Sequence, residues 1–417
     1  LKLLLSAAES SSDAHGAELL QALHQVLLSD QKLEVFGVGG PRLRAAGMET
    51  LVRAEDLSVM GLSEVLLRLP RAYRALQTVS QAAALRKPDL AVVMDYPDFH
   101  FRLAKKLKRQ GIPIVYYIPP KIWVWRKNRI HFLKKYFVKV LSILPFEEAY
   151  YRAEKVPFQF VGNPLIDELP WSLSKRGARS ELGLDEKSPV LVVMPGSRPA
   201  ELKVHFPLMI EAAKLIAEQL RAEQKLAKKQ ALKVLVPLPV GIATEPFQVE
   251  LTRLLSSHGS SDMDASVDVR ISQGDAHQCL VAADVGLIKS GTSTLEAGLL
   301  KCCHVVTYRP SLLTGWVFKN LIQYQGPVGL INWVAGWKPG DSLAVPELLC
   351  ERATPQELAT EGAALFLDQS RRTQMEAAFD RARRALGLSD SGWSGESPSH
   401  RAALEVLRLL QNRGGTC

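Results

Sequence analysis

Short apolar runs alternate with longer amphipathic stretches along most of the 417 residues, and that alternation decides the fold class. A brief continuous apolar run is a strand buried on both faces, and parallel pairing needs a helical crossover between one such run and the next. In the first half the runs fall at 3–7, 33–38, 90–95, 112–118, 138–143 and 158–161, with helical patterns at 14–28, 63–86, 99–110, 128–137 and 146–154. Residues 162–179, with Pro164 and Pro170, break this rhythm and read as a linker. The alternation then resumes, with strands at 190–194, 233–237, 267–271, 285–288 and 304–307. Helices fit 199–229, 246–257, 275–282, 292–300 and 355–386, followed by a polar Ser/Gly hinge at 387–398 and a last helix near 399–412. The expected architecture is α/β: two doubly wound lobes, 1–165 and 166–386, with a ligand cleft at the strands' carboxyl ends and an appended segment at 387–417.

Charge narrows the ligand class. The formal net charge is +9, from 52 Lys and Arg against 43 Asp and Glu. It is carried wholly by residues 1–165, which hold 24 basic and 15 acidic residues; the rest of the chain is balanced. Such an excess fits anionic partners: nucleic acid, phosphates or a membrane surface. Five cysteines without a CxxC pair exclude a disulfide framework and fit a reducing cytoplasm. No apolar run reaches the roughly 18 residues of a spanning helix. The opening LKLLLSAAES is too short in its apolar part for a signal peptide and reads as a first buried strand.

In the second lobe, DVGLIKSGTSTLE turns from strand to helix through Ser290, Gly291 and Thr292. Free N–H groups at such a turn suit a phosphate, and Glu296 could accept hydrogen bonds from ribose hydroxyls. The plainer reading is that Ser290 or Thr292 caps the helix. VLVVMPGSRPAELK repeats the logic with Gly196, Ser197 and Arg198, ahead of Pro199 and Glu201. Arg198 is either the neutraliser of a departing pyrophosphate or an exposed loop arginine. There is no Walker lysine and no GxGxxG, which excludes a P-loop ATPase and a standard dehydrogenase.

In the first lobe, LAVVMDYPDF ends a strand with Asp95 and Asp98. A carboxylate at that edge can serve as a general base. Asp98 also reads as the cap of the helix that follows, which leaves Asp95 as the better base. Glu9, in the first strand-to-helix turn, stands at the same edge, where Ser12 or Asp13 could be caps. Asp262 and Asp264 form a DxD pair, but in a polar loop, and the histidines lack metal-binding spacing; no metal and no cofactor are expected. Residues 99–139 hold twelve basic residues and no acidic one, together with Trp123, Trp125, Phe132, Tyr136 and Phe137. That stretch suits nucleotide stacking, anionic lipid head groups, or a solvated helix over core aromatics. Val59, Met60, Leu62, Val65, Leu66 and Leu69 form an apolar strip beside Arg68, Arg71 and Arg74, either a lipid-facing surface or a core face.

Taken together and in order, AESSSDAHGAELLQAL, VFGVGGPRLRAAGM, LSVMGLSEVL, DYPDF, IWVWR, LPFE, VVMPGSRPAEL, SGTSTLE and VVTYR resemble the lipid-A-disaccharide synthase family, inverting glycosyltransferases of the GT-B fold. The resemblance runs to about residue 385. It implies transfer of 2,3-diacylglucosamine from UDP-2,3-diacylglucosamine to 2,3-diacylglucosamine 1-phosphate, giving a β-1,6-linked lipid A precursor and UDP. It further implies Asp95 as base, catalytic roles for Glu9 and Arg198, and UDP binding at Gly196, Ser197, Arg198, Ser290, Gly291, Thr292 and Glu296. Asn332, Trp123 and Arg126 fall in further motifs on the acceptor side. Implied partners are the two lipid sugars and the anionic face of a bacterial inner membrane, with no nucleic acid; the implied localisation is cytoplasmic and peripheral. A homodimer formed by exchange of C-terminal segments is also implied. Against the family pattern, Ala8 and Ser12 replace two glycines of the first loop, Pro119 a serine, and Asn163 a histidine. The rival readings are a UDP-sugar 2-epimerase-like enzyme, a GT-B transferase with another acceptor, and a non-enzymatic nucleotide- or RNA-binding protein.

Overall fold

A computed structural model describes residues 1–28, 31–57, 65–122, 128–227, 230–256, 266–309, 326–388 and 396–414. The chain forms two compact units, Leu1–Glu168 with Trp393–Cys417, and Leu169–Gly392.

The first unit is a seven-stranded parallel sheet made of β1 (Lys2–Ala7), β2 (Glu34–Gly39), β3 (Glu49–Arg53), β4 (Leu90–Met94), β5 (Ile114–Tyr117), β6 (Lys139–Ser142) and β7 (Phe158–Phe160). Their spatial order is β3-β2-β1-β4-β5-β6-β7. Alternate side chains of each strand enter opposite layers: Leu4, Phe36, Val93 and Tyr116 share one core, while Leu3, Leu5, Val92 and Tyr117 share the other. Covering helices on both faces explain why β4 is buried at every residue.

The last helix, Pro398–Gly414, belongs to this unit rather than standing apart as an appended segment. Ala402, Ala403, Val406 and Leu410 complete the second of those cores, against Leu20 and Leu23 of helix Ser10–Val26. Lys139 holds the buried Glu405 at 2.9 Å. Gly162 has φ +92, and the Arg401 guanidinium fills the place where a Cβ would stand. That position therefore requires glycine.

The second unit has β8 (Val190–Met194), β9 (Leu232–Leu238), β10 (Val267–Gln273), β11 (Val285–Lys289), β12 (Cys303–Tyr308) and β13 (Glu347–Leu349), ordered β10-β9-β8-β11-β12-β13 and all parallel. The segment read as a linker at 162–179 carries two short helices, Leu165–Glu168 and Lys175–Glu181. The second begins because Ser174 accepts the Gly177 N–H. The single helix expected at 355–386 is two, because Asp368 ends Pro355–Leu367 and caps Gln369–Ala385 by accepting the Arg371 N–H at 3.1 Å.

Each unit buries a neutral histidine. His100 and His304 are fully covered, and burial pushes both down to about 4. A folded value below the unfolded one of about 6.5 means that the unfolded chain binds the extra protons. The stabilisation is therefore complete above about pH 6.5 and is lost as pH falls towards 4. His304 donates from Nδ1 to the Cys302 carbonyl and stacks on Phe379. The variant His304→Asn, titrated by denaturant between pH 6.5 and pH 5, should lose about 1.5 kcal/mol less stability than the parent over that interval.

Candidate functional site

In both sheets the strand order reverses at one pair of neighbours, β1/β4 in the first and β8/β11 in the second. At such a switch point the loops leave the carboxyl edge in opposite directions and open a ligand-binding crevice. Glu9, Asp95, Gly196–Arg198 and Ser290–Thr292 lie on these four loops.

At the first switch point Ala7 pairs with Met94, so Glu9 and Asp95 leave the edge side by side. Glu9 has extended backbone and precedes helix Ser10–Val26. The Ser12 hydroxyl accepts the Glu9 N–H at 3.0 Å and donates to the Glu9 carbonyl at 2.9 Å, closing a small ring that fixes this residue. Ala8 is fully buried in the core beneath it. The two replacements of family glycines are thus built into the turn.

Asp13 does not cap its own helix. Its buried carboxylate accepts N–H groups from Gly40 (2.6 Å), Arg42 (2.9 Å) and Leu43 (3.2 Å), and so caps helix Pro41–Ala45 from outside. Asp13→Ala strands three donors, two of them buried, and should lower unfolding stability by about 3 kcal/mol, read from a denaturant midpoint.

Asp95 and Tyr96 both have left-handed backbone, with φ +49 and +41. Two such residues in succession, neither glycine, store strain of about 1–3 kcal/mol each, sustained only when their surroundings fix them. Here the Asp95 N–H donates to the Ile118 carbonyl at 3.3 Å. The Asp95 carbonyl accepts the Tyr116 hydroxyl at 2.7 Å and His100 Nδ1 at 2.7 Å. Burial, then the charge of Asp95, raises the Tyr116 phenol well above its ordinary value and keeps its proton in place for this bond.

Asp98 is not the cap expected of it: Tyr96 is the cap residue and Pro97 the first helical one, with Asp98 in the first turn. There it suits the helix dipole. Its exposed carboxylate pairs with Arg129 at 2.6 Å, whose guanidinium lies 5.2 Å from the Phe101 ring centre. The described aromatic residues of the two helices in the basic stretch are packing residues. Phe101, Phe132 and Tyr136 stack in sequence, and Phe137 is buried. The charges remain outside, with Arg102, Lys105, Lys108, Arg109, Lys134 and Lys135 exposed.

In the second unit Met194 pairs with Ile288, which sets the 195–198 loop beside the 290–292 loop. Gly196 has φ +128, and a Cβ there would meet Glu201 at 2.8 Å. Glu201 is the hub of this edge. Its carboxylate accepts the N–H groups of Ser197 (3.2 Å) and Arg198 (3.4 Å), meets the Arg198 guanidinium at 3.2 Å and binds Lys289 at 2.9 Å. Burial works against this charge, but Lys289 and the loop hold the carboxyl below its ordinary value. The two amides are thus occupied from within, and what the loop offers outward is the Arg198 side chain, 72% exposed. In the sequence Glu201 is legible only as a helix-start residue, and the sole signal of Lys289 is its position at the end of a strand on this edge.

The 290–292 turn is not capped by a side chain. Thr292 is the cap residue without a side-chain bond, and the Ser290 hydroxyl donates to the Val328 carbonyl at 3.0 Å. Glu296 is 17% exposed, 3.4 Å from His277 Nε2. Asn332 is buried with its amide committed to the fold: Nδ2 donates to the Val345 carbonyl and to Glu347, and Oδ1 accepts the Val345 N–H. Both of its donors are used, which makes it a clamp on this edge rather than a ligand contact.

Trp123, Arg126, Val59, Met60, Leu62, Asp262 and Asp264 lie outside the described residues. Val65, Leu66 and Leu69 fall in helix Val65–Arg86, whose later turns bury Ala75, Leu76, Val79 and Ala83. Among the described residues no helix is long and apolar enough to cross a membrane. His15, Glu18 and Glu168 bring three ligand-type atoms within 4.8 Å of one another, with His15 Nδ1 3.6 Å from each carboxylate.

Comparison with known proteins identifies the architecture. A family model described as lipid-A-disaccharide synthetase matches residues 3–391. A lipid-A-disaccharide synthase of Myxococcus xanthus is 38% identical over 409 residues, covering 98% of this chain and 97% of its own. Another, of Anaeromyxobacter dehalogenans, is 40% identical over 386 residues, covering 93% of each. Among solved structures, UDP-GlcNAc 2-epimerase from Neisseria meningitidis aligns with TM-score 0.59 at 12% identity, covering 98% of this chain and 100% of its own. That likeness concerns the fold, which is GT-B. The family match spans both units and both switch points, and the chain belongs to the lipid-A-disaccharide synthase family.

Proposed function

We propose that this chain transfers 2,3-diacylglucosamine from UDP-2,3-diacylglucosamine to the 6-hydroxyl of 2,3-diacylglucosamine 1-phosphate, with Asp95 as general base. The observation that carries the reading is the coincidence of each candidate group with a sheet switch point: Glu9 and Asp95 at β1/β4, and Arg198 with Ser290–Thr292 at β8/β11. Asp95 takes the hydroxyl proton as the oxygen attacks the anomeric carbon from the face opposite UDP, so the configuration inverts and the linkage is β. Proton removal in the transition state is what a carboxylate at this edge contributes. Arg198 neutralises the diphosphate as it leaves, and Glu296 receives the ribose. Glu9, fixed by Ser12, orients the acceptor.

The mechanism assigns no step to a metal: guanidinium charge performs the neutralisation. EDTA is accordingly expected to leave the rate unchanged, and a large loss would assign the metal role to Asp262 and Asp264.

Lipid substrates suit an enzyme working at the cytoplasmic face of the inner membrane, and in this reading the 59–69 strip receives the acyl chains. The exposed cations of helices Pro97–Arg109 and Arg129–Tyr136 support an anionic surface as the docking partner. Raising salt from 0.1 M to 1 M shortens the screening length from about 10 Å to about 3 Å. Binding to vesicles containing anionic lipid should then weaken about tenfold or more, measured by sedimentation; binding indifferent to salt would remove the electrostatic part of the reading.

A further inference from the structure

His100 is fully buried one turn into helix Pro97–Arg109, yet both ring nitrogens are bonded. Nδ1 lies 2.7 Å from the Asp95 carbonyl, which can only accept, so Nδ1 carries the proton. Nε2 is then the acceptor, and the Ser6 hydroxyl donates to it at 2.8 Å. Ser6 lies within β1 and is itself fully buried. The ring is packed edge-on against Tyr96, Phe99 and Tyr116, with centroids 6.5, 5.4 and 6.4 Å away. A chain of bonds therefore runs from β1, through His100, to the backbone of the strained residue at the end of β4.

We propose that His100 is a positioning residue for the reaction: by donating to the Asp95 carbonyl it holds Asp95 in its left-handed backbone and aims the carboxylate along the sheet edge. The proposal rests on the reading of Asp95 as the base. The geometry supports it in three ways. The left-handed pair Asp95–Tyr96 is unfavourable for residues with a Cβ, and something must hold it. The carbonyl that His100 grips belongs to Asp95 itself, so removing the donor frees the peptide that sets the carboxylate's direction. The second grip, from Tyr116, comes from β5, and His100 ties the residue back to Ser6 of β1. A misdirected base costs rate, not affinity, because positioning acts on the transition state. The ring itself neither gives nor takes a proton during turnover: burial pushes it down to about 4, so it is neutral at working pH.

The test uses two variants of the full chain, singly and combined with Asp95→Asn. In His100→Asn the amide nitrogen occupies the place of Nδ1 and keeps the donor; in His100→Leu the donor is lost with similar bulk. His100→Leu should lower kcat about tenfold to thirtyfold with KM and UDP affinity unchanged, and His100→Asn should restore kcat to within about threefold of the parent. In the Asp95→Asn background His100→Leu should add nothing further, since the effect passes through Asp95. Equal kcat in parent and both single variants would overturn the proposal, as would a loss shared by both, or a full further loss in the Asp95→Asn background. Near-normal turnover by Asp95→Asn alone would instead overturn the reading of the base.

Discussion

Replacing Asp95 by asparagine is expected to lower kcat about a thousandfold while UDP affinity and thermal stability stay as they were. General base catalysis contributes about 10²–10⁴ in rate, and an amide at this position cannot accept the hydroxyl proton. What makes the substitution clean is the way the residue is held. Two of the groups that anchor it, the N–H bonded to Ile118 and the carbonyl bonded to Tyr116 and His100, are backbone groups that asparagine retains. Asparagine also tolerates left-handed backbone about as well as aspartate. The variant therefore removes the base and keeps these backbone anchors. Steady-state rates beside UDP titration and a melting curve check it; a rate within a few fold of the parent would transfer the base role to another group.

Arg198→Ala should have the next largest effect, about a hundredfold in kcat together with weaker UDP binding. The guanidinium is the outward-facing charge of the 196–198 loop, since Glu201 already occupies the amides of Ser197 and Arg198. Loss of one donor aimed at developing charge costs about 10²–10³. Stability should hardly move, because the side chain is 72% exposed and Lys289 still pairs with Glu201. Arg198→Lys should fall between, keeping charge but losing the planar fork. If Arg198→Ala bound UDP and turned over normally, the exposed-loop-arginine reading would stand instead.

Much of this was legible before the structure because buried parallel strands write themselves as apolar runs. β4 and β8 are examples, buried at every residue or nearly so. Two strands escaped for the opposite reason. β3 reads ETLVR, an edge strand half-exposed and bounded by charges, and β13 is a three-residue edge strand beginning with Glu347. Neither has two covered faces to mark it.

At the site, Asp95, Glu9 and Arg198 were readable as polar residues just past apolar runs, and the structure puts them at the two switch points. Their supports were not readable. Ser6 and His100 lie 94 positions apart, and Glu201 and Lys289 lie 88 apart, so only the folded sheet makes them partners. Asn332 shows the reverse failure. A polar residue in a motif was read toward the acceptor, while its amide is used to tie Gly329–Val334 to Val345 and Glu347. Asp13 likewise looked like a local cap and serves a helix 27 or more positions away.

The central claim is that this chain joins two lipid sugars, with release of UDP coupled to the bond formed. The direct measurement is UDP released from UDP-2,3-diacylglucosamine with and without 2,3-diacylglucosamine 1-phosphate, with the lipid product analysed in parallel. The account predicts one disaccharide 1-phosphate, β-linked, for each UDP, and no UDP beyond background when the acceptor is left out. UDP or an altered donor sugar formed equally well without acceptor, and no disaccharide with it, would contradict the account.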